Sequence, residues 1–136
     1  MVEYELLERL TKRGGRVVWK AVRRRTKEIV AIQKIEEALR SKDDRKATLA
    51  LIYILNELDH ENIISLNTIF RPPNGNDAFL VFEFAETDLF AVGRAGVLED
   101  IHKGYVLYQL MKAVKYMHSA GVVHTNIKPS NILINS

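Results

Sequence analysis

The apolar pattern of this chain changes period after Ile35, and few folds accommodate both halves. From Tyr4 to Leu10 apolar and charged residues alternate. The runs Val17-Val18-Trp19-Lys20-Ala21-Val22 and Ile29-Val30-Ala31-Ile32-Gln33-Lys34-Ile35 are rich in β-branched and aromatic residues, which favour extended backbone. Polar turns at residues 11–16 and 23–27 separate these runs, so three strands form an antiparallel meander. Beyond Ile35 the spacing becomes helical. Ser41 can cap a helix whose first turn carries Asp43 and Asp44, where the helix dipole favours negative charge, and Leu51, Ile52, Leu55 and Leu58 follow at helical intervals. Asp59-His60-Glu61-Asn62 breaks that helix. Two further strands, Ile63–Phe70 and Ala78–Phe84, flank the turn Arg71-Pro72-Pro73-Asn74-Gly75-Asn76. A short helix then covers Asp88–Ala95 and stops at Gly96. A long one covers Ile101–Ala120, with Tyr105, Tyr108, Met111, Val114 and Met117 on one stripe. Gly121 ends it, and Val122–Ile134 reads as a loop flanked by short β pieces. The fold class is therefore α+β: a five-stranded antiparallel lobe with one helix, then the start of a helical lobe.

Composition narrows the function. With 136 residues, 47% of them hydrophobic and 27% charged, the chain has material for a real core. A net charge of +3 tolerates a phosphate-bearing ligand without arguing for nucleic acid, and Arg23-Arg24-Arg25 lacks the aromatic platform of a single-strand binder. That cluster reads as a solvated turn. The absence of cysteine excludes disulfides, a thiol nucleophile and thiolate metal sites, and fits a reducing compartment. The amino end has neither the basic start nor the apolar stretch of a secretory signal, and the apolar run Leu49–Leu55 is too short to span a bilayer. The expected address is the cytoplasm, with access to the nucleus, and no membrane contact. His60, His102, His118 and His124 show no metal-ligand spacing, and no nucleophile-elbow pattern occurs.

Four segments carry a family resemblance. Val30-Ala31-Ile32-Gln33-Lys34-Ile35 looks like the third-strand V-A-I-K motif. Leu80-Val81-Phe82-Glu83-Phe84-Ala85-Glu86-Thr87-Asp88-Leu89 looks like the hinge between lobes. His118-Ser119-Ala120-Gly121-Val122-Val123 leads into His124-Thr125-Asn126-Ile127-Lys128-Pro129-Ser130-Asn131-Ile132-Leu133, which is similar to the catalytic loop H-R-D-x-K-P-x-N-x-L. In this order they resemble the eukaryotic protein kinase domain. Trp19-Lys20-Ala21 and Glu86-Thr87-Asp88-Leu89 are similar to the MAP kinases, in particular their atypical extracellular-signal-regulated branch. The resemblance implies an amino lobe over residues 1–84 and a hinge with a partial helical lobe over 85–136. The D-F-G segment, activation loop and A-P-E segment of a family member do not occur in these 136 residues, so the domain reads as truncated.

Phosphoryl transfer asks a protein for positioning and for charge around the phosphates, and the matching positions lack that charge. The family's glycine loop aligns to Thr11, Arg13 and Arg16, none of them glycine. Its third-strand Lys aligns to Gln33, the helix Glu that would pair with it to Leu51, and the catalytic Asp to Asn126. An amide keeps the carboxylate's shape but cannot accept a proton at neutral pH, and a positioned base contributes about 10²–10⁴-fold. Lys34 adjoins Gln33, yet successive strand residues point to opposite faces. Lys128 and Asn131 do match the γ-phosphate Lys and the Mg-binding Asn. Without a second carboxylate ligand Asn131 is a weak metal site, and both residues also suit plain loop architecture.

Leu10, Val18, Ala31, Phe82, Glu83, Ala85 and Leu133 match the family's adenine pocket, so ATP binding would be weak and without Mg. Each is also an ordinary lobe residue. Leu55, Leu66 and His124 match a spine of stacked side chains, in which the His packs under the helix. No cofactor is required by this reading. The expected function is that of a catalytically inactive, MAP-kinase-like pseudokinase working through protein contacts on an exposed helical-lobe surface. The alternative is an ATP-dependent Ser/Thr protein kinase whose remaining half lies outside this chain.

Overall fold

A computed structural model describes residues 3–13, 16–73 and 75–135. Three antiparallel strands, β1 (Tyr4–Arg13), β2 (Arg16–Arg23) and β3 (Ile29–Ile35), precede helix α1 (Lys42–Glu57). Then come β4 (Leu66–Phe70), β5 (Ala78–Glu83), the short β6 (Thr87–Asp88), α2 (Leu89–Ala95) and α3 (Asp100–Ser119). A single 3₁₀ turn at Pro129–Asn131 and β7 (Leu133–Ile134) close the chain. The chain divides into two compact units, one of residues 1–59 and 64–84, the other of 60–63 and 85–136.

The first unit is the five-stranded antiparallel sheet, ordered β1-β2-β3-β5-β4, with α1 between β3 and β4 in sequence. Its centre follows from the sequence of β5. Ala78-Phe79-Leu80-Val81-Phe82 is an unbroken apolar run, and all five residues are buried, as expected of a strand covered on both faces. One face gathers Tyr4, Ala21, Val30, Ile32, Phe79 and Val81, with Trp19 and Phe70 packed against them. Val30, Ile32, Leu80 and Val81 are sealed from solvent, and full burial of such a side chain contributes about 1.5–3 kcal/mol. Phe70 stacks on Phe79 at 4.9 Å between ring centroids and on Tyr4 at 6.0 Å, which ties the two outer strands to the middle of the sheet.

Helix α1 starts where the sequence places its cap. Ser41 Oγ accepts the Asp44 N–H at 3.0 Å, and Asp44 Oδ2 accepts the Ser41 N–H at 3.2 Å, completing a capping box. Its inward stripe is Thr48, Leu51, Ile52 and Leu55; the Thr48 hydroxyl donates to the Ala38 carbonyl at 3.1 Å. The strand expected from Ile63 begins three positions later, at Leu66. The cause is a turn: the Ile63 N–H donates to the His60 carbonyl at 3.0 Å, and the Asn62 N–H to His60 Nδ1 at 3.0 Å. Residues 60–63 accordingly pack with the second unit rather than with the sheet.

In the second unit α2 runs from an Asp88 cap, whose Oδ1 accepts the Ala91 N–H at 2.9 Å, to Gly96 at φ 68°. Helix α3 carries the segment 60–63 on its flank. Asn62 Nδ2 donates to Gln109 Oε1 at 2.9 Å, Lys112 pairs with Glu61, and His60 rests on Tyr116 with ring centroids 5.0 Å apart. The apolar stripe expected along α3 is buried only at its end. Met117 and Ala113 are buried, whereas Tyr105, Tyr108 and Met111 are exposed, because residues spaced by three drift about 60° per step around a helix and five of them cannot share one face.

Candidate functional site

On the sheet, register places the candidate residues of β2, β3 and β5 together. Val18 lies opposite Gln33, which lies opposite Leu80; Lys20 lies opposite Ala31, which lies opposite Phe82. Directly opposed residues share a face, so Val18, Ala31, Gln33 and Phe82 stand on one side of the sheet. Gln33 is half-buried, flanked by apolar neighbours. Lys34 points to the other side, as alternation demands. There its Nζ meets Asp77 Oδ2 at 2.9 Å and Glu36 Oε1 at 3.7 Å, while Asp77 Oδ1 accepts the Glu37 N–H at 2.9 Å. The hydrogen bond to Asp77 raises the Lys34 ammonium above its ordinary range, and the bond from Lys34, with that from the Glu37 N–H, holds the Asp77 carboxyl below its own. This cation is spoken for.

Leu51, the counterpart of the family's helix Glu, is half-buried on the inward stripe of α1. Leu10 is exposed on β1. Glu83 ends β5, and its Oε1 accepts the Ser65 N–H at 3.2 Å. The structure adds to this face Lys20, part of the Trp19-Lys20-Ala21 segment but given no site role by the sequence reading: its Nζ lies 4.6 Å from the Phe84 ring centroid. The glycine-loop substitutions fall at residues 11–16: Gly14 and Gly15 lie outside the described residues, as do the side chains of Thr11, Arg13 and Arg16.

The loop of the second unit is held by its own backbone. Thr125 adopts φ 63°, a left-handed conformation that β-branched residues avoid. The Asn126 N–H donates to His124 Nδ1 at 3.2 Å, and the Asn126 carbonyl accepts from Asn131 Nδ2 at 2.8 Å. The Asn131 N–H donates to the Lys128 carbonyl at 2.9 Å, closing the 3₁₀ turn. Thr87 and Asp88 pair with Ile134 and Leu133, and the Leu89 N–H donates to the Ile132 carbonyl at 2.8 Å. The loop is thus fixed at both ends of its second half. Asn126, Lys128, Asn131 and Leu133 are exposed and Ala85 is half-buried; His124 is exposed as well, rather than packed beneath the helix.

One sequence expectation changes. Arg23 is not a solvated turn residue: its guanidinium donates to Tyr4 Oη at 3.0 Å and to Glu28 Oε2 at 3.0 Å, and Nε lies 3.4 Å from Glu3. It locks the start of β1 to the end of β2, while Arg24 and Arg25 remain exposed. Asn131 donates only its Nδ2 to the loop, as the loop reading of this residue expects, and among the described residues no three His, Asp or Glu side chains gather to hold an ion.

The cation expected at position 33 is a neutral amide, its neighbour is bound to Asp77, and the position of the proton acceptor holds an amide. Among the described residues no helix is long and apolar enough to cross a membrane.

Comparison with known proteins agrees with this architecture. Residues 4–136 match the family described as "Protein kinase domain". The chain is 50% identical over 135 residues to "Extracellular signal-regulated kinase 2" of Dictyostelium discoideum, covering 98% of this chain and 37% of that protein. It is 47% identical over 135 residues to "Mitogen-activated protein kinase 15" of Xenopus laevis, covering 98% of this chain and 23% of the relative. It is also 47% identical over 115 residues to "Mitogen-activated protein kinase homolog NTF6" of Nicotiana tabacum, covering 82% of this chain and 31% of that protein. The chain therefore spans well under half the length of each of these relatives. A sheet of this order, a loop of this spacing and a match from Tyr4 onward lead to one assignment: the chain belongs to the eukaryotic protein kinase domain family, on its MAP kinase branch.

Proposed function

We propose that this chain is a catalytically silent, MAP-kinase-like domain that acts through protein contacts in the cytoplasm. The observation that carries the reading is the pair of positions 33 and 34. Gln33 shares a face with Val18, Ala31 and Phe82 but has no charge, and the adjacent Lys34 is turned away and bonded to Asp77. Phosphoryl transfer lacks its means on these side chains, because the positions that would hold the triphosphate and receive the proton carry amides. A neutral pair at 33 and 51 also avoids the cost of an unpaired buried charge, so the fold stands without the chemistry. Any ATP binding would be weak and independent of Mg. Contacts would run through the outward face of α3, where Ile101, Tyr105, Tyr108 and Met111 are exposed.

A second reading, an ATP-dependent Ser/Thr protein kinase completed by residues beyond these, draws on the retained Lys128 and Asn131 and on the printed names of the relatives. One assay tests the silent reading. Purified protein is given radiolabelled ATP, Mg²⁺ and a generic protein substrate, with thermal shift by ATP measured in parallel with and without Mg²⁺. The silent reading expects transfer at the buffer rate and no Mg-dependent stabilisation. Transfer clearly above that rate, lost in Lys34→Ala or Lys128→Ala, overturns it.

A further inference from the structure

We propose that Thr26, at the tip of the β2–β3 hairpin, is an acceptor for phosphorylation by a separate, Arg-directed Ser/Thr kinase. The chain leaves the sheet after the last register pair, Val22 opposite Ile29. Arg24, Arg25, Thr26, Lys27 and Glu28 are all exposed. A row of charged side chains is costly to cover, so the exposure of this tip follows from its own composition. Its backbone is anchored at the ends. The Arg23 N–H donates to the Glu28 carbonyl at 2.8 Å, the Arg24 N–H to the Glu3 carbonyl at 2.9 Å, and the Lys27 N–H to the Arg23 carbonyl at 2.8 Å. Arg25 and Thr26 lie between those anchors, and no described residue hydrogen-bonds to the Thr26 hydroxyl.

The charge before Thr26 sets it apart. Arg24 stands two residues ahead of it and Arg25 one, and neither they nor Lys27 form an ion pair with a described residue. Arg23, three ahead, is committed to Tyr4, Glu28 and Glu3. A kinase with carboxylates in its substrate groove would therefore read Arg24 on the folded chain, through charge-assisted, bidentate hydrogen bonds. Other exposed Ser and Thr residues lack this setting. The Ser41 and Ser119 hydroxyls donate to Asp44 Oδ2 and to the Tyr116 carbonyl, both at 2.7 Å. Ser65, Thr68 and Thr125 have no arginine in the three residues before them. In the transfer, Thr26 Oγ1 attacks the γ-phosphorus of a nucleoside triphosphate held by the other enzyme. The Oγ1–P bond forms, the bond to the β,γ-bridging oxygen breaks, its electron pair leaves with the diphosphate, and the hydroxyl proton passes to a carboxylate of that enzyme. The product sets about −1.5 to −2 charges beside Arg24, Arg25 and Lys27 and removes most of the tip's positive charge.

The test incubates the folded full chain with Mg-ATP and the catalytic subunit of cAMP-dependent protein kinase, an Arg-directed enzyme, and reads intact mass and the modified peptide. One phosphate on Thr26 is expected, and none when the kinase is omitted. Thr26→Ala should abolish labelling and Thr26→Ser retain it, so the loss is that of the hydroxyl and not of the fold. Arg24→Ala should lower kcat/KM for the chain as substrate by about tenfold or more, while Lys46→Ala, an exposed cation on α1, leaves it unchanged. Circular dichroism confirms that each variant is folded. Absence of phosphate from Thr26 on the folded chain, or equal labelling of the parent and Arg24→Ala, overturns the site. Phosphate that arrives without the added kinase overturns the assignment to a separate enzyme and the silent reading with it.

Discussion

Thr125 holds a left-handed backbone at φ 63°, where its branched Cβ crowds the following carbonyl. Strain of this kind costs about 1–3 kcal/mol, so Thr125→Gly should raise the unfolding free energy by about 1 kcal/mol after glycine's own entropy cost, as read from urea denaturation. Lys34 and Asp77 support a second residue-level prediction. Asp77 is depressed in the fold, so its contribution is present above the ordinary carboxylate range and disappears as pH falls through its lowered pKa. Lys34 is raised, so its contribution is present below the ordinary ammonium range and disappears as pH climbs through its raised pKa. Asp77→Asn should therefore flatten both the acid and the alkaline limbs of the stability–pH profile while lowering stability near neutrality. The alternation of β3 makes the outward turn of Lys34 legible. Its partner is not, because Asp77, just before β5, meets β3 only through a register that no local pattern encodes. The Arg23 lock on Tyr4, Glu28 and Glu3 is hidden for the same reason, and a run of three arginines looks like a turn whichever of them is engaged.

At the level of elements, local signals with a fixed geometry translate well. Ser41 and Asp44 stand at capping-box spacing, and both reciprocal hydrogen bonds form. Ser41→Ala should cost about 1 kcal/mol, measurable as a drop in helical signal and denaturation midpoint, and Asp44→Ala should add less once the serine is gone. Helix α2 offers the opposite case. A Cβ on Gly93 meets nothing within 4 Å, whereas Gly96 caps the helix at φ 68°. Gly93→Ala should thus stabilise by roughly 0.5–1 kcal/mol, and Gly96→Ala should destabilise. Patterns that depend on what lies across from them translate less well. The stripe expected on α3 runs at a spacing of three, which drifts about 60° per step around a helix, so it does not mark one covered side. The start of β4 shifts from Ile63 to Leu66 because the imidazole of His60 captures the Asn62 N–H, a side-chain bond invisible to periodicity.

Across the whole molecule, the positions where chemistry would reside are legible as departures from a motif, since neutral Gln33, Leu51 and Asn126 stand where the family's pattern has charge. The face shared by Val18, Ala31, Gln33 and Phe82 is legible through strand alternation, while Leu10, Ala85 and Leu133 are joined to it only by family resemblance. Whether helix and sheet are matched through positions 33 and 51 can be decided energetically. Gln33 is half-buried between Val18 and Leu80, so Gln33→Lys places a cation among apolar neighbours and should cost about 1–3 kcal/mol. Leu51→Glu puts a carboxylate on the inward stripe of α1 and should cost a similar amount. If the two positions face one another, the double variant recovers part of both losses, with a coupling of about 1 kcal/mol or more in a double-mutant cycle followed by urea denaturation. Strict additivity would show that they do not meet. Coupling without any gain of phosphotransferase activity is the expected result, because restoring a phosphate grip leaves Asn126 still unable to take the proton.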